Sequence, residues 1–235
     1  MGSNNLRFIK GATIFAIIML VLPTAKLANA YNLEEYYPLA DNSSWEYSII
    51  RDGAKEEVTL EILGDEKINN SSTIKQGSPE DYSCIVIDPE GIKIYKEAEG
   101  DYSDVYDPPM VIFPNINESE EKAYSGNLIS YDKEAVKQGS AQITSRIILE
   151  NKEKISVPAG EFSDCLKFAS SLKTKEENGN HSSEDCSIWL ASGVGKVKAF
   201  CIVTEYEADT KKESTSIKIY ELISAIVNGK KIGSQ

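Results

Sequence analysis

Apolar and polar residues alternate with a period of two along most of this chain, and no other pattern narrows its fold as sharply. Trp45, Tyr47 and Ile49 alternate with Glu46 and Ser48, and Val58, Leu60 and Ile62 alternate with Glu57, Thr59 and Glu61. In an extended strand that spacing sends one set of side chains to each face, so each strand buries one face. Asp52-Gly53 joins these two strands, and Leu63-Gly64-Asp65 ends the second. Residues 82–88 turn through Pro89-Glu90-Gly91 into residues 92–96, with Pro and Gly where a tight turn needs them. Residues 143–149 read as a strand, residues 151–153 as a turn, and residues 155–157 as the next strand. Further strands fall at 165–172, 197–206 and 216–224. The fold class is mainly β, a curved antiparallel sheet of about ten strands, half-barrel or sandwich-like. Short helices are expected only at residues 119–124 and 132–138.

Residues 1–30 stand apart from this pattern. Arg7 and Lys10 precede an uncharged, mostly apolar stretch, and Ala28-Asn29-Ala30 places small residues where a signal peptidase reads. Only 15 residues separate Lys10 from Lys26, and a spanning helix needs about 20. The expectation is a cleaved signal peptide, an exported chain in the periplasm or outside the cell, and no stable membrane insertion afterwards. Three of the 25 basic residues and none of the 37 acidic ones lie in this segment, leaving 22 against 37 in residues 31–235, a net charge of −15. A phosphate-binding face needs clustered Lys and Arg, so nucleic acid is excluded as a partner.

An exported chain meets oxidising conditions, which makes disulfides plausible for Cys84, Cys165, Cys186 and Cys201. If the chain reverses between Gly193 and Val194, Cys186 lies directly opposite Cys201, close enough to be bridged. That pair is preferred, with Cys165–Cys201 as its rival. Cys84 and Cys165 are then either a second pair or two buried thiols.

One β domain over residues 31–235 is expected, either an internal duplication with halves at about 31–115 and 125–235 or an antiparallel meander that repeats such elements without one. A cysteine-led strand and a glycine-opened strand occur in each half: Cys84 to Ile87 and Gly91 to Ile94 in the first, Cys165 to Phe168 and Gly195 to Lys198 in the second. Between the halves the alternation fails. Pro108-Pro109 and Pro114 predict an extended crossing there. Asp101, Asp104 and Asp107, at a spacing of three, are the one candidate set for a hard cation, although the EF-hand arrangement is absent.

Catalytic signals are missing. The single His181 lies among turn formers, and a nucleophile needs a base fixed by a third group. No phosphate loop, zinc ligand pair or nucleophile elbow occurs, and no cofactor is implied. Aromatic residues on the strands, Trp45, Tyr47, Tyr95, Phe168, Trp189 and Phe200, are candidates to line a concave face for an apolar ligand.

Tyr36-Tyr37-Pro38-Leu39, Trp45-Glu46-Tyr47, residues 157–162 with Cys165, and Trp189 with Gly193-Val194-Gly195-Lys196-Val197-Lys198 together resemble an exported bacterial family of unknown function. Its pattern is YxPL, WxY, VPAGxFxxC and WxxxGVGxVK. The resemblance implies a curved antiparallel sheet, distantly similar to the half-barrel lipoprotein carriers of the periplasm, and no catalytic residues. The function expected is therefore a non-enzymatic envelope or secreted protein that binds an apolar ligand or a protein partner on its curved sheet. The alternatives are a structural or assembly factor working through protein contacts, and a hydrolase of unknown type.

Overall fold

The computed structural model describes residues 31–233, so the expected signal peptide lies outside the described residues. A single helical turn, α1 (Leu33–Tyr36), precedes thirteen strands. They are β1 (Ser44–Arg51), β2 (Ala54–Ile68), β3 (Ser71–Gly77), β4 (Asp81–Asp88), β5 (Gly91–Glu99), β6 (Tyr102–Pro114), β7 (Glu121–Asp132), β8 (Lys137–Val157), β9 (Gly160–Glu176), β10 (His181–Ala191), β11 (Gly195–Glu207), β12 (Lys212–Val227) and β13 (Lys230–Ile232). Each strand pairs with the next, and β1 also pairs antiparallel with β12 from Ser44↔Ile226 to Arg51↔Lys218. The sheet therefore closes into a twelve-strand up-and-down barrel, which removes its edges. Short β13 adds to the end of β12 beyond the reach of β11, at Ala225 to Val227.

Closure and strand number correct the expected half-barrel of about ten strands. Strands β3, β6 and β7 have weak alternation. The supposed turn at residues 151–153 is instead the interior of β8, which absorbs it as register shifts at Leu149/Asn151 and Glu153/Ile155. Leu63-Gly64 likewise does not end β2, because the strand continues through a register shift there. Pro108 and Pro109 sit within β6 just past the last residue paired with β7, Asp107, and in the gap of the β5 ladder between Val105 and Met110. Proline offers no amide N–H, and a stretch with no ladder partner on either side tolerates that loss. Neither expected short helix forms; residues 121–132 are β7, and residues 133–136 are a turn.

The two cysteine-led segments do not occupy equivalent places in the barrel. Cys84 is on β4, immediately before glycine-opened β5, whereas Cys165 is on β9, with β10 between it and β11.

Inside the barrel, Ile143, Ile147 and Leu149 of β8 and Leu166 and Phe168 of β9 meet Ile85 of β4, Ile92 and Ile94 of β5, and Met110 and Phe113 of β6. A second cluster joins Trp45, Tyr47 and Ile49 of β1 to Val197 and Leu222. Residues 31–43 form a strap across one end. Leu33 and Tyr36 are buried in the first cluster, the Gly193 amide donates to Glu35 O at 2.7 Å, and the Tyr37 hydroxyl donates to Gln76 Oε1 at 2.6 Å.

Candidate functional site

Strand parity divides the sequence-predicted aromatic set between the two faces of the wall. Trp45, Tyr47 and Phe168 point inward: Trp45 Nε1 donates to Val194 O at 2.6 Å, the Tyr47 hydroxyl donates to Lys196 O at 2.7 Å, and Phe168 packs edge-on to Phe113. Trp189 follows inward-facing Ile188 and so points outward, where its Nε1–H meets Glu153 and Lys167 Nζ lies 5.6 Å from its ring centre. Phe200 is opposite Ser187 and Ile219 on the same outer face. Tyr95 occupies the register shift between Ile94 and Lys96 and is half-buried. These six residues do not form one aromatic face. The concave face is filled by side chains, and the small cavity lined by Trp45 and Tyr47 measures about 20 Å³, room for about one water.

The structure joins Cys186 to Cys201 in a disulfide facing the barrel interior. Cys84 and Cys165 are buried free thiols on separate stretches of wall, so they do not pair. Burial pushes each thiol up to about 11.

Polar residues missed by the pattern also line the interior. Glu97 faces inward on β5, takes hydrogen bonds from the Tyr106 and Ser83 hydroxyls, and has its pKa raised, first by burial and then by nearby Asp104 and Glu184. Asp104 accepts from Ser130 Oγ at 2.5 Å. Inward Asp104 and groove-lining Asp101 and Asp107 lie on opposite faces, so the three candidate cation ligands do not converge. His181 stacks on Tyr206 with ring centres 4.5 Å apart, and its one hydrogen-bond contact among the described residues is Nδ1 with Gly179 O at 3.4 Å.

A wide recess lies on the outer wall. Ser44, the first residue of β1, is opposite Glu61, so the β2–β3 hairpin runs past β1 and folds over the outside of β4 and β5. Lys96 Nζ of β5 meets Glu66 Oε1 at 2.9 Å, which pins the hairpin down over the fully buried Cys84, while Thr73 Oγ1 donates to Glu66 O at 2.8 Å within the hairpin itself. Between the hairpin tip and β4 to β7 runs a groove of about 680 Å³. Ile68, Ala98, Val105 and Ile129 give it an apolar floor, and Tyr82, Tyr102 and Tyr131 line its sides.

Charge in the groove is unevenly committed. Lys96 is paired with Glu66 and Lys133 with Asp101, while Asp132 accepts the amides of Glu134 and Val136 in its own turn. The side chains of Glu80 and Asp107 have no hydrogen-bond or ion-pair partner among the described residues, so the free charge of the groove is negative. Volume and mixed lining fall within the range of small-ligand sites.

Fold and site together define a closed up-and-down β-barrel with a filled interior and an acidic, tyrosine-lined recess on its outer wall. No family model matches the chain, and no curated protein sequence does. Among solved structures it is similar to a protein of Parabacteroides distasonis ATCC 8503 provisionally described as a lipoprotein, at 15% identity and a TM-score of 0.44, over 80% of this chain and 97% of that one. It is also similar to a Bacteroides fragilis NCTC 9343 protein, provisionally described as exported and with a YmcC-like fold, at 13% identity and a TM-score of 0.45, over 79% and 97% of the two chains. The hypothetical lipoprotein YmcC of Escherichia coli K12 matches at 7% identity and a TM-score of 0.38, over 76% and 82%.

Proposed function

We propose that this is an exported, non-enzymatic binding protein that holds a ligand with an apolar body and a basic group in the outer groove between the β2–β3 hairpin and strands β4 to β7. The observation that carries this reading is the groove itself, an apolar floor beneath a rim whose two uncommitted charges, Glu80 and Asp107, are carboxylates. Export is supported by the sequence of residues 1–30 and by the Cys186–Cys201 disulfide, which suits an oxidising compartment. The filled interior argues against a lipid carried on the concave face, so the apolar-ligand reading moves to the outer wall.

Titration with dodecylammonium below its micelle concentration tests the proposal. Chemical-shift changes should concentrate at Ala98, Val105 and Ile129, and dodecyl sulfate of equal chain length should bind at least tenfold more weakly. Val105→Lys should abolish the shifts. Equal binding of both amphiphiles, or shifts spread evenly over the barrel wall, would overturn it.

A further inference from the structure

Lys196 is a basic side chain on the inner wall with no carboxylate in ion-pair contact among the described residues. The β10–β11 register shifts between Trp189 and Leu190, which places Lys196 opposite Leu190 and turns its side chain to the inner wall. Its Nζ lies 5.2 Å from the centre of the Tyr47 ring and 4.9 Å from that of Tyr220. The two π faces favour a cation between them. Burial pulls the amine pKa down, and Glu184, whose charge pushes it back up, makes no ion pair with it among the described residues.

Lys196 lines the small cavity of about 20 Å³ together with Tyr37, Pro38, Trp45, Leu60, Gln76, Gly195 and Tyr47, the last of which also lies beside its Nζ. Several donors around it are already spent: Tyr37 Oη–H on Gln76 Oε1, Trp45 Nε1–H on Val194 O, and Tyr47 Oη–H on Lys196 O. Gln76 Oε1 is fixed by Tyr37, which leaves the Gln76 amide nitrogen free to donate. An ammonium carries three donors and a primary amide two. Neither Lys196 Nζ nor Gln76 Nε2 has an acceptor among the described residues. No carboxylate lines the cavity.

We propose that this cavity is a binding site for a small monovalent anion of the halide class, held by Lys196 Nζ and Gln76 Nε2 and walled by Trp45, Leu60 and Pro38. The ion supplies the charge partner that Lys196 lacks, and the strap residues Tyr37 and Pro38 close the site over it. Two donors, apolar walls and the small volume select an ion without a long body.

The test compares thermal unfolding of the full chain in sodium chloride and in sodium gluconate at equal ionic strength. An ion that binds only the folded state raises the midpoint with each tenfold increase in its concentration, so the midpoint should climb with chloride or bromide and stay flat with gluconate. Lys196→Met and, independently, Gln76→Leu should remove the halide dependence. Bromide-soaked crystals of the unmodified protein should show an anomalous peak between Lys196 Nζ and Gln76 Nε2. Identical midpoints in the two salts, the result for a site that holds water only, would overturn the proposal. So would a halide dependence that survives in both variants, or a bromide peak elsewhere with none at this cavity.

Discussion

At the scale of single residues, the inner wall holds charges that cost stability. Glu97 has its pKa raised chiefly by burial, so the folded state keeps its proton at pH values where the unfolded chain has lost it. A group of this kind makes stability fall as pH rises from the ordinary carboxylate range toward its raised folded value, above which the loss is constant. Glu97→Gln copies the protonated form and can still accept from Tyr106. The variant should match the native protein in acid and exceed it by about 1 kcal/mol at neutral pH, as measured by urea unfolding across pH. A constant difference at every pH would show that burial of the charge is not the cause. None of this was legible in the sequence. Glu97 falls in a stretch where alternation breaks, and Lys196 would face outward with Lys198 if β11 ran without its shift. A bulge reverses side-chain parity locally, and no single residue type announces it.

Strands and turns show how an argument from register can arrive by compensation. Symmetry about Gly193 and Val194 places Cys186 opposite Cys201, yet the observed turn pairs Ala191 with Gly195 and is one residue tighter. The shift between Trp189 and Leu190 restores the register before the cysteines, whose Cα atoms lie 4.2 Å apart. Replacing both cysteines by alanine should cost about 3 kcal/mol, read as a lower urea midpoint. An unchanged midpoint would mean that the bridge does not constrain the unfolded chain. Gly91 carries a different constraint at the start of β5. Its φ is +144°, and a Cβ there would lie 2.3 Å from Phe113 O, so backbone must move to admit it. Gly91→Ala should destabilise by about 2 kcal/mol or more, whereas Gly53→Ala, strained in φ but with open space around it, should cost less. Pro89-Glu90-Gly91 was readable as a turn because turn chemistry is local. The close approach of β6 to Gly91 was not, because it depends on a strand whose prolines hid it.

For the whole molecule, closure is the property the sequence concealed. Trp45 pairs with Ala225 across most of the chain, and alternation says which face of each strand is buried but not which distant strand lies beside it. The same holds for the strap: the Tyr36-Tyr37-Pro38-Leu39 motif was visible, but not that it crosses an end of the barrel. Leu33 and Tyr36 are 5% and 8% exposed, so the strap is anchored by apolar burial and by the Gly193 amide bond to Glu35 O. Twelve strands hydrogen-bonded in a ring do not need this segment to complete their ladders, so it should open at lower free energy than the barrel unfolds. Leu33→Ala should then cost about 2–4 kcal/mol in the docking of the strap, and its signature should be local. Exchange of the Gly193 amide should accelerate by at least tenfold, while the ladder amides of β8 and β9 keep their native protection. If Gly193 and the β8–β9 amides accelerate together, strap and barrel open as one unit and the strap is an integral part of the core. If Gly193 alone accelerates, the strap is a separately opening cover, and the end of the barrel beneath Tyr37 and Pro38 is reached from solvent whenever that cover lifts.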